Sequence, residues 1–244
     1  MIIIAIIRVF LLLFWIIFMW LIGALIGIGN SQKALKRLTY GALTWAKGVS
    51  VISNLHCNVH GNRKNVKGLI ISNHQSYMDI VLLGSIFPLR FSAKKEIKQW
   101  PVLGWFISFS KPIWVDRNSK QSSLDTLLRF RETLANKINL IVFPEGTTSS
   151  GENDLLQFKS TLFEVAVNGN QPIFPVIIKY RGYNRELIPW YGDQTLLPHA
   201  KRILSQKKIT ADVYILDPIE TDGCTRKELT ETAYNKMNSF YKQV

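Results

Sequence analysis

From Val9 to Ile28 the chain runs for twenty residues without a charged side chain, and no other feature narrows its possible folds as far. A helix rising 1.5 Å per residue covers about 30 Å over that length, the thickness of a bilayer's hydrocarbon core. The run is apolar all round, whereas a helix on the core of a soluble domain keeps a polar face. It closes with Gly27-Ile28-Gly29-Asn30-Ser31, which lacks the small-residue cleavage pattern of a secretory signal. The segment therefore reads as an uncleaved membrane anchor over residues 1–30. A spanning helix and a re-entrant hairpin broken near Gly23 both fit this hydropathy.

Charge follows directly behind the anchor. The whole chain carries +13, yet no Asp or Glu occurs before Asp79, while Arg8, Lys33, Lys36, Arg37, Lys47, Arg63, Lys64 and Lys67 do. Residues 31–52 form a basic amphipathic stretch, with Tyr40 and Trp45 at positions suited to a membrane interface. A basic excess alone suits nucleic acid or anionic lipid. Beside an anchor it argues for an anionic membrane surface, and the positive-inside tendency puts the rest of the chain on the cytoplasmic side. Nucleic acid is not expected as a partner. The two cysteines, Cys57 and Cys224, have no C-x-x-C spacing, so neither a disulfide scaffold nor a thiolate zinc site is expected. His56, His60 and His199 lack metal-ligand spacing and read as structural.

Residues 53–244 alternate short apolar runs with longer amphipathic segments, the pattern of an α/β domain with a mixed, mostly parallel sheet flanked by helices. Strands are predicted at Ser53–His60, Gly68–Ser72, Arg90–Ala93, Pro112–Val115, Leu140–Phe143, Ile173–Tyr180 and Ala211–Asp217. Helices are predicted at Gln75–Phe87, Trp100–Phe109, Ser119–Asn136, Phe158–Asn168 and Arg226–Tyr241. Gly169 is the expected C-cap of the fourth helix. Thr225 with Glu228 makes a capping box for the fifth.

Three segments just after predicted strands can carry chemistry, at the place where open α/β sheets commonly bind ligands. In Asn73-His74-Gln75-Ser76-Tyr77-Met78-Asp79, five residues separate His74 from Asp79. On one continuous helix the two would point about 140° apart, so they meet only if His74 precedes the helix and Asp79 reaches back. A carboxylate on one imidazole nitrogen fixes the tautomer and leaves the other free to take a proton. Spacing alone equally allows a helix-capping histidine beside an ordinary first-turn aspartate. Phe143-Pro144-Glu145-Gly146-Thr147-Thr148-Ser149-Ser150-Gly151 is a polar turn whose amides can hold an anion, and it is also what an ordinary loop looks like. It lacks the P-loop lysine. From Lys94 to Arg117, cations bracket an apolar, aromatic stretch that suits either an acyl groove or a core helix. No G-x-S-x-G elbow is present to support a serine acyl-enzyme.

Together these segments resemble the glycerolipid acyltransferase family, of the 1-acyl-sn-glycerol-3-phosphate type. Asn73-His74-Gln75-Ser76-Tyr77-Met78-Asp79 is similar to its N-H-x-x-x-x-D block. Lys94-Lys95-Glu96 through Val115-Asp116-Arg117 is similar to the second block, Phe143-Pro144-Glu145-Gly146-Thr147 to the third, and Pro172-Ile173-Phe174-Pro175-Val176 to the fourth. The resemblance implies a membrane-bound O-acyltransferase whose donor is acyl-coenzyme A or acyl carrier protein and whose acceptor is a lysophospholipid. It implies His74 as general base, Asp79 as its orienter, and Arg117 with the Glu145-Gly146-Thr147 turn at the acceptor phosphate. Lys94 or Lys95 would assist the phosphate or the developing oxyanion, with no metal and no cofactor beyond the donor. One position departs from the family pattern: Thr148 stands where many members carry arginine. The expected acceptor is 1-acyl-sn-glycerol-3-phosphate, and the alternative is another lysolipid such as lyso-ornithine lipid.

Overall fold

In the computed structural model, residues 2–26, 32–100, 104, 107–108, 110–116, 120–152 and 154–244 are described. The apolar run forms helix α1 (Ile2–Ile26), unbroken at Gly23, and α2 (Gln32–Ser53) returns beside it. The two helices close on each other where α2 has no side chain. A Cβ on Gly48 would lie 2.2 Å from Trp15 Cε2, so glycine is what lets the indole seat there. Trp15 Nε1 donates to the Trp45 carbonyl at 3.0 Å from the same contact. Most of α1 stays uncovered: Ile3, Phe10, Phe14 and Leu25 are exposed.

Seven strands form one sheet among the described residues: β1 (Leu55–His60), β2 (Leu69–Ser72), β3 (Leu89–Lys94), β4 (Ile113–Val115), β5 (Asn139–Val142), β6 (Ile173–Arg181) and β7 (Ile209–Ile215). Their spatial order is β1-β7-β6-β2-β5-β3-β4, and every neighbouring pair is parallel except β6 with β7. The helices that cover it are α3 (Met78–Ile86), α4 (Lys120–Ala135), α5 (Glu164–Gly169), α6 (Leu196–Leu204) and α7 (Arg226–Gln243). The expected mixed, mostly parallel sheet behind an apolar N-terminal helix is what forms.

Period-two alternation sends each strand's side chains to two cores. On one face Ile70, Phe174, Val176 and Ile178 pack with α3 residues Leu82 and Leu83 and with Val49 of α2, against which Leu12 and Trp15 of α1 also lie. On the other, Leu69, Ile71, Ile173 and Ile177 pack with Phe130 of α4 and with Ala233, Met237 and Tyr241 of α7. The helical hairpin therefore belongs to one face of the sheet, and the C-terminal helix to the other. Arg8, inside α1, donates to the carbonyls of Leu204, Gln206 and Lys207 at the end of α6, where a helix leaves unsatisfied acceptors.

Several boundaries differ from the sequence reading. The predicted helix at Phe158–Asn168 is a 3-10 turn, Ser160–Phe163, followed by α5. Gly169 is its last helical residue, and Asn170 takes the left-handed cap at φ 43°, a conformation asparagine tolerates better than most residues. Helix α3 starts at Met78 rather than Gln75, because Gln75 and Ser76 turn their amides onto the Asp79 side chain. Strand β7 begins at Ile209, two residues before the predicted Ala211. Helix α6 was not expected from the sequence. The Thr225–Glu228 capping box forms as predicted. Most of the expected Trp100–Phe109 helix lies outside the described residues, and Gly104, Ile107 and Ser108 are helical.

Candidate active site

Strands β2, β5 and β3 are parallel neighbours, so their carboxyl ends deliver His74, Glu145 and Lys94 to one edge of the sheet. β2 ends at Ser72, and the side chain of Asn73 then continues its pairing with β6. Asn73 Nδ2 donates to the Ile178 carbonyl at 3.0 Å, and the Ile178 amide donates to Asn73 Oδ1 at 2.7 Å. The next residue, His74, thus leaves a fully paired strand end rather than a loose loop.

His74 and Asp79 meet. His74 Nδ1 lies 2.8 Å from Asp79 Oδ2. A carboxylate can only accept, so Nδ1 carries the proton and Nε2 presents a lone pair. Among the described residues Nε2 has no hydrogen-bond partner. The geometry is the one the spacing demanded: His74 in the turn, Asp79 in the first turn of α3. Asp79 is fully buried, and its charge is met on every side, as a buried charge requires. Its Oδ2 also accepts from the Gln75 amide at 2.6 Å and the Ser76 amide at 2.9 Å, while Oδ1 accepts from the Tyr180 hydroxyl at 2.7 Å. Burial first, and then Asp79, drive the Tyr180 pKa well above the ordinary phenol value, so its proton stays in that bond.

The turn after β5 clamps the histidine's backbone. The His74 amide donates to Glu145 Oε1 at 2.7 Å, and the Ser149 amide donates to the His74 carbonyl at 2.9 Å. The ring stacks on Phe143, with centroids 3.9 Å apart and planes 13° from parallel. Glu145 Oε2 accepts from the Leu156 amide at 3.0 Å, so this buried carboxyl is spent on backbone and holds the loop. Its pKa is pushed up to about 7, chiefly by burial, and the two amide contacts pull in the opposite direction. Glu145 thus holds from within the turn that the resemblance puts at the acceptor phosphate. Thr147 is exposed, and the Thr148 hydroxyl donates to the Trp190 carbonyl.

The cations expected around the acceptor divide. Lys94 ends β3, exposed and without an ion pair among the described residues, while Lys95 pairs with Asp116 at 3.1 Å. Arg117 lies outside the described residues. Sequence reasoning missed a further cation, Lys159. Its amide donates to the Pro144 carbonyl at 2.9 Å, and its side chain lies across Gly146 so closely that a Cβ there would sit 2.8 Å from Nζ. Gly146 has φ +75°, so the turn needs glycine for its backbone as well. His199 is structural: it bonds Tyr77 at 3.0 Å and the Pro189 carbonyl at 3.2 Å, and burial lowers its pKa. Among the described residues no group of three His, Cys, Asp or Glu side chains is placed to hold a metal ion.

Residues 56–179 match the family model described as acyltransferase. The chain is 34% identical over 191 residues to the lyso-ornithine lipid O-acyltransferase of Pseudomonas aeruginosa, covering 78% of this chain and 73% of that protein. The chain belongs to the acyltransferase family. Its similarity also extends to the 1-acyl-sn-glycerol-3-phosphate acyltransferase of Neisseria gonorrhoeae, 36% identical over 147 residues, covering 59% of this chain and 57% of that protein. In fold, this acyltransferase is similar to the 1-acyl-sn-glycerophosphate acyltransferase structure from Thermotoga maritima. The TM-score is 0.66 at 22% identity, covering 98% of this chain and 97% of that one. The family match takes in His74, Asp79, Glu145 and Lys159 of this acyltransferase and stops one residue short of Tyr180.

Proposed function

We propose that the enzyme moves a fatty acyl group from the thioester of acyl-coenzyme A or acyl carrier protein to the free hydroxyl of a lysolipid. The observation that carries this reading is the His74–Asp79 pair, with Nδ1 held at 2.8 Å and Nε2 open. His74 Nε2 takes the hydroxyl proton as the oxygen attacks the thioester carbonyl, and Asp79 stabilises the imidazolium that results. The carbonyl carbon gains the oxygen and loses the thiolate sulfur, which leaves with the proton returned by His74. A thioester is already activated, so the protein's work is positioning and proton transfer. The exposed apolar side of α1 would sit in the cytoplasmic leaflet of the inner membrane, beside the basic start of α2.

For the acceptor we place lyso-ornithine lipid ahead of 1-acyl-sn-glycerol-3-phosphate, which reverses the order expected from the sequence. Two observations support this order. Thr148 is tied to the Trp190 carbonyl and puts no charge where many family members carry one. Three relatives acting by name on lyso-ornithine lipid are 34, 30 and 33% identical to this chain, over 73, 69 and 70% of their own lengths. The glycerophosphate reading retains one supporting feature, the Lys159 ammonium laid over the turn. Purified enzyme supplied with a labelled acyl thioester and both lysolipids distinguishes them. Turnover with lyso-ornithine lipid at least tenfold above that with the glycerophosphate is expected, and the opposite ratio overturns the order. His74→Ala should lose about 10²- to 10⁴-fold of the rate, and near-normal turnover would overturn the mechanism.

A further inference from the structure

Beside the catalytic edge, at the carboxyl end of β6, lies a cleft of about 530 Å³. Its walls include Gln75, the neighbour of His74, with Lys179 and Arg181 from β6 and Tyr241 from α7; Arg185 lines it too, as do the carboxylates of Glu152 and Glu186. The alternation of β6 explains the placement. Phe174, Val176, Ile178 and Tyr180 face the hairpin side, so Lys179 and Arg181 continue the row of Ile173 and Ile177 toward α7.

We propose that this cleft receives the phosphate of the phosphopantetheine arm that carries the acyl thioester. The proposal rests on the thioester chemistry argued above. Arg181 is already engaged, donating to Asp212 at 2.8 Å, whereas Lys179 and Arg185 have no carboxylate partner among the described residues. Lys179 is half-buried, with its ammonium 3.5 Å from the centroid of the Tyr241 ring and 3.0 Å from the Tyr241 carbonyl. Burial, then Arg181 and Arg185, push its pKa below the ordinary lysine value, a like-charge strain that a bound anion relieves.

Position selects the donor over the acceptor. Strand β2, which leads to His74, has β6 on one side and β5 with β3 on the other. The base therefore sits between the Lys179–Arg185 cleft and the Lys94–Lys95 cations. The Lys94–Lys95 side of the base is the one the resemblance gives to the acceptor's phosphate, which leaves the β6 side and its cleft for the donor. Glu152 and Glu186 form no ion pair with Lys179 or Arg185, and the Lys179 ammonium keeps two of its three donors beyond the bond to the Tyr241 carbonyl. Coenzyme A and acyl carrier protein share the phosphate, so the cleft serves either donor.

The test is Arg185→Glu in the full detergent-solubilised chain, with Lys179→Gln as a second variant, each first compared with the unaltered chain by circular dichroism. The KM for acyl-coenzyme A or for acyl carrier protein is expected to rise about tenfold, the loss of one charge-assisted contact, while the lysolipid KM stays within twofold. A donor rise with one carrier alone identifies that carrier as the source of the phosphate. An acyl-N-acetylcysteamine thioester, which has no phosphate, should show no such difference between variant and unaltered chain. Titration calorimetry with coenzyme A alone gives a readout independent of turnover, and its affinity should fall by the same factor. A rise in lysolipid KM instead, or an equal loss with the phosphate-free thioester, overturns the proposal. Absence of acyl transfer by the unaltered chain to any lysolipid would instead remove the acyltransfer reading, and the calorimetric comparison would still decide the cleft.

Discussion

Tyr180 donates its hydroxyl to Asp79 Oδ1 at 2.7 Å across 101 residues of sequence, from a strand that faces the hairpin core. The carboxylate that aims His74 is thus itself aimed. Tyr180→Phe keeps the ring and removes only the donor, leaving one oxygen of a buried carboxylate unmet. The expected result is a kcat about tenfold lower with both substrate KM values within twofold, and a loss of about 1–3 kcal/mol in unfolding free energy. Unchanged kcat alongside lower stability would show that the hydrogen bond serves the fold alone.

Lys159 is the cation whose proposed place at the acceptor phosphate can be tested in the same way. Its ammonium lies over Gly146 and has no ion-pair partner among the described residues. Lys159→Gln should raise the KM for 1-acyl-sn-glycerol-3-phosphate about tenfold and leave the acyl-thioester KM within twofold, the mirror image of the pattern expected at Arg185. Steady-state kinetics with each substrate varied in turn reads both numbers. A donor effect at Lys159 would count against its assignment to the headgroup.

Glu145 links the catalytic loop to pH. Its carboxyl is raised from 4.5 to about 7, mainly by burial, so the folded chain holds a proton that the unfolded chain releases over that interval. Protons bound more tightly in the folded state mean that stability falls as pH rises. The contribution is fully present below about pH 4.5 and lost as pH passes through about 7. Urea unfolding at pH 5 and pH 8 should show a fall on the order of 3 kcal/mol more in the unaltered chain than in Glu145→Gln, which cannot titrate. Glu145→Gln is also less stable at both values, because one of the two amides, His74 or Leu156, then meets an N–H rather than an acceptor. Parallel falls in the two proteins would remove the assignment.

Gly48 is where the hairpin has no slack. Even Gly48→Ala puts a methyl group 2.2 Å from Trp15 Cε2 and must move the indole off the Trp45 carbonyl. A loss of about 1–3 kcal/mol is expected in micelles, the range for overpacking a tight contact. The same change at Gly41, where a Cβ meets nothing within 4 Å, should cost almost nothing and serves as the control.

The parts of this molecule that were legible in the sequence are those written locally. Short apolar runs marked the seven strands, and the five-residue spacing from His74 to Asp79 required the histidine to precede the helix if the two were to meet. Tyr180 was beyond reach because nothing near residue 180 signals a carboxylate a hundred positions earlier; only the β6–β2 pairing brings them together. Lys159 was hidden for a related reason, since its relevance depends on the loop folding back onto Pro144. The inward turn of Glu145 was equally out of reach, because the two amides that hold it, from His74 and Leu156, come to it only in the folded chain. Helix α6 went unseen because it is a nine-residue helix with Pro198 in its first turn, although its buried face, His199 and Ile203, is clearly set off from its polar one.

The docking of Arg8 onto the carbonyls at the end of α6 has a kinetic meaning. A catalytic domain on a loose leash searches a volume above its membrane. With α1 in a membrane as proposed, a domain fastened to it at Arg8 and again at Gly48 would hold the imidazole at a set height, and encounter with the acceptor would become a search in two dimensions. Its rate would then follow the mole fraction of lysolipid in the surface and not the bulk concentration in the suspension, as surface dilution with inert lipid can measure.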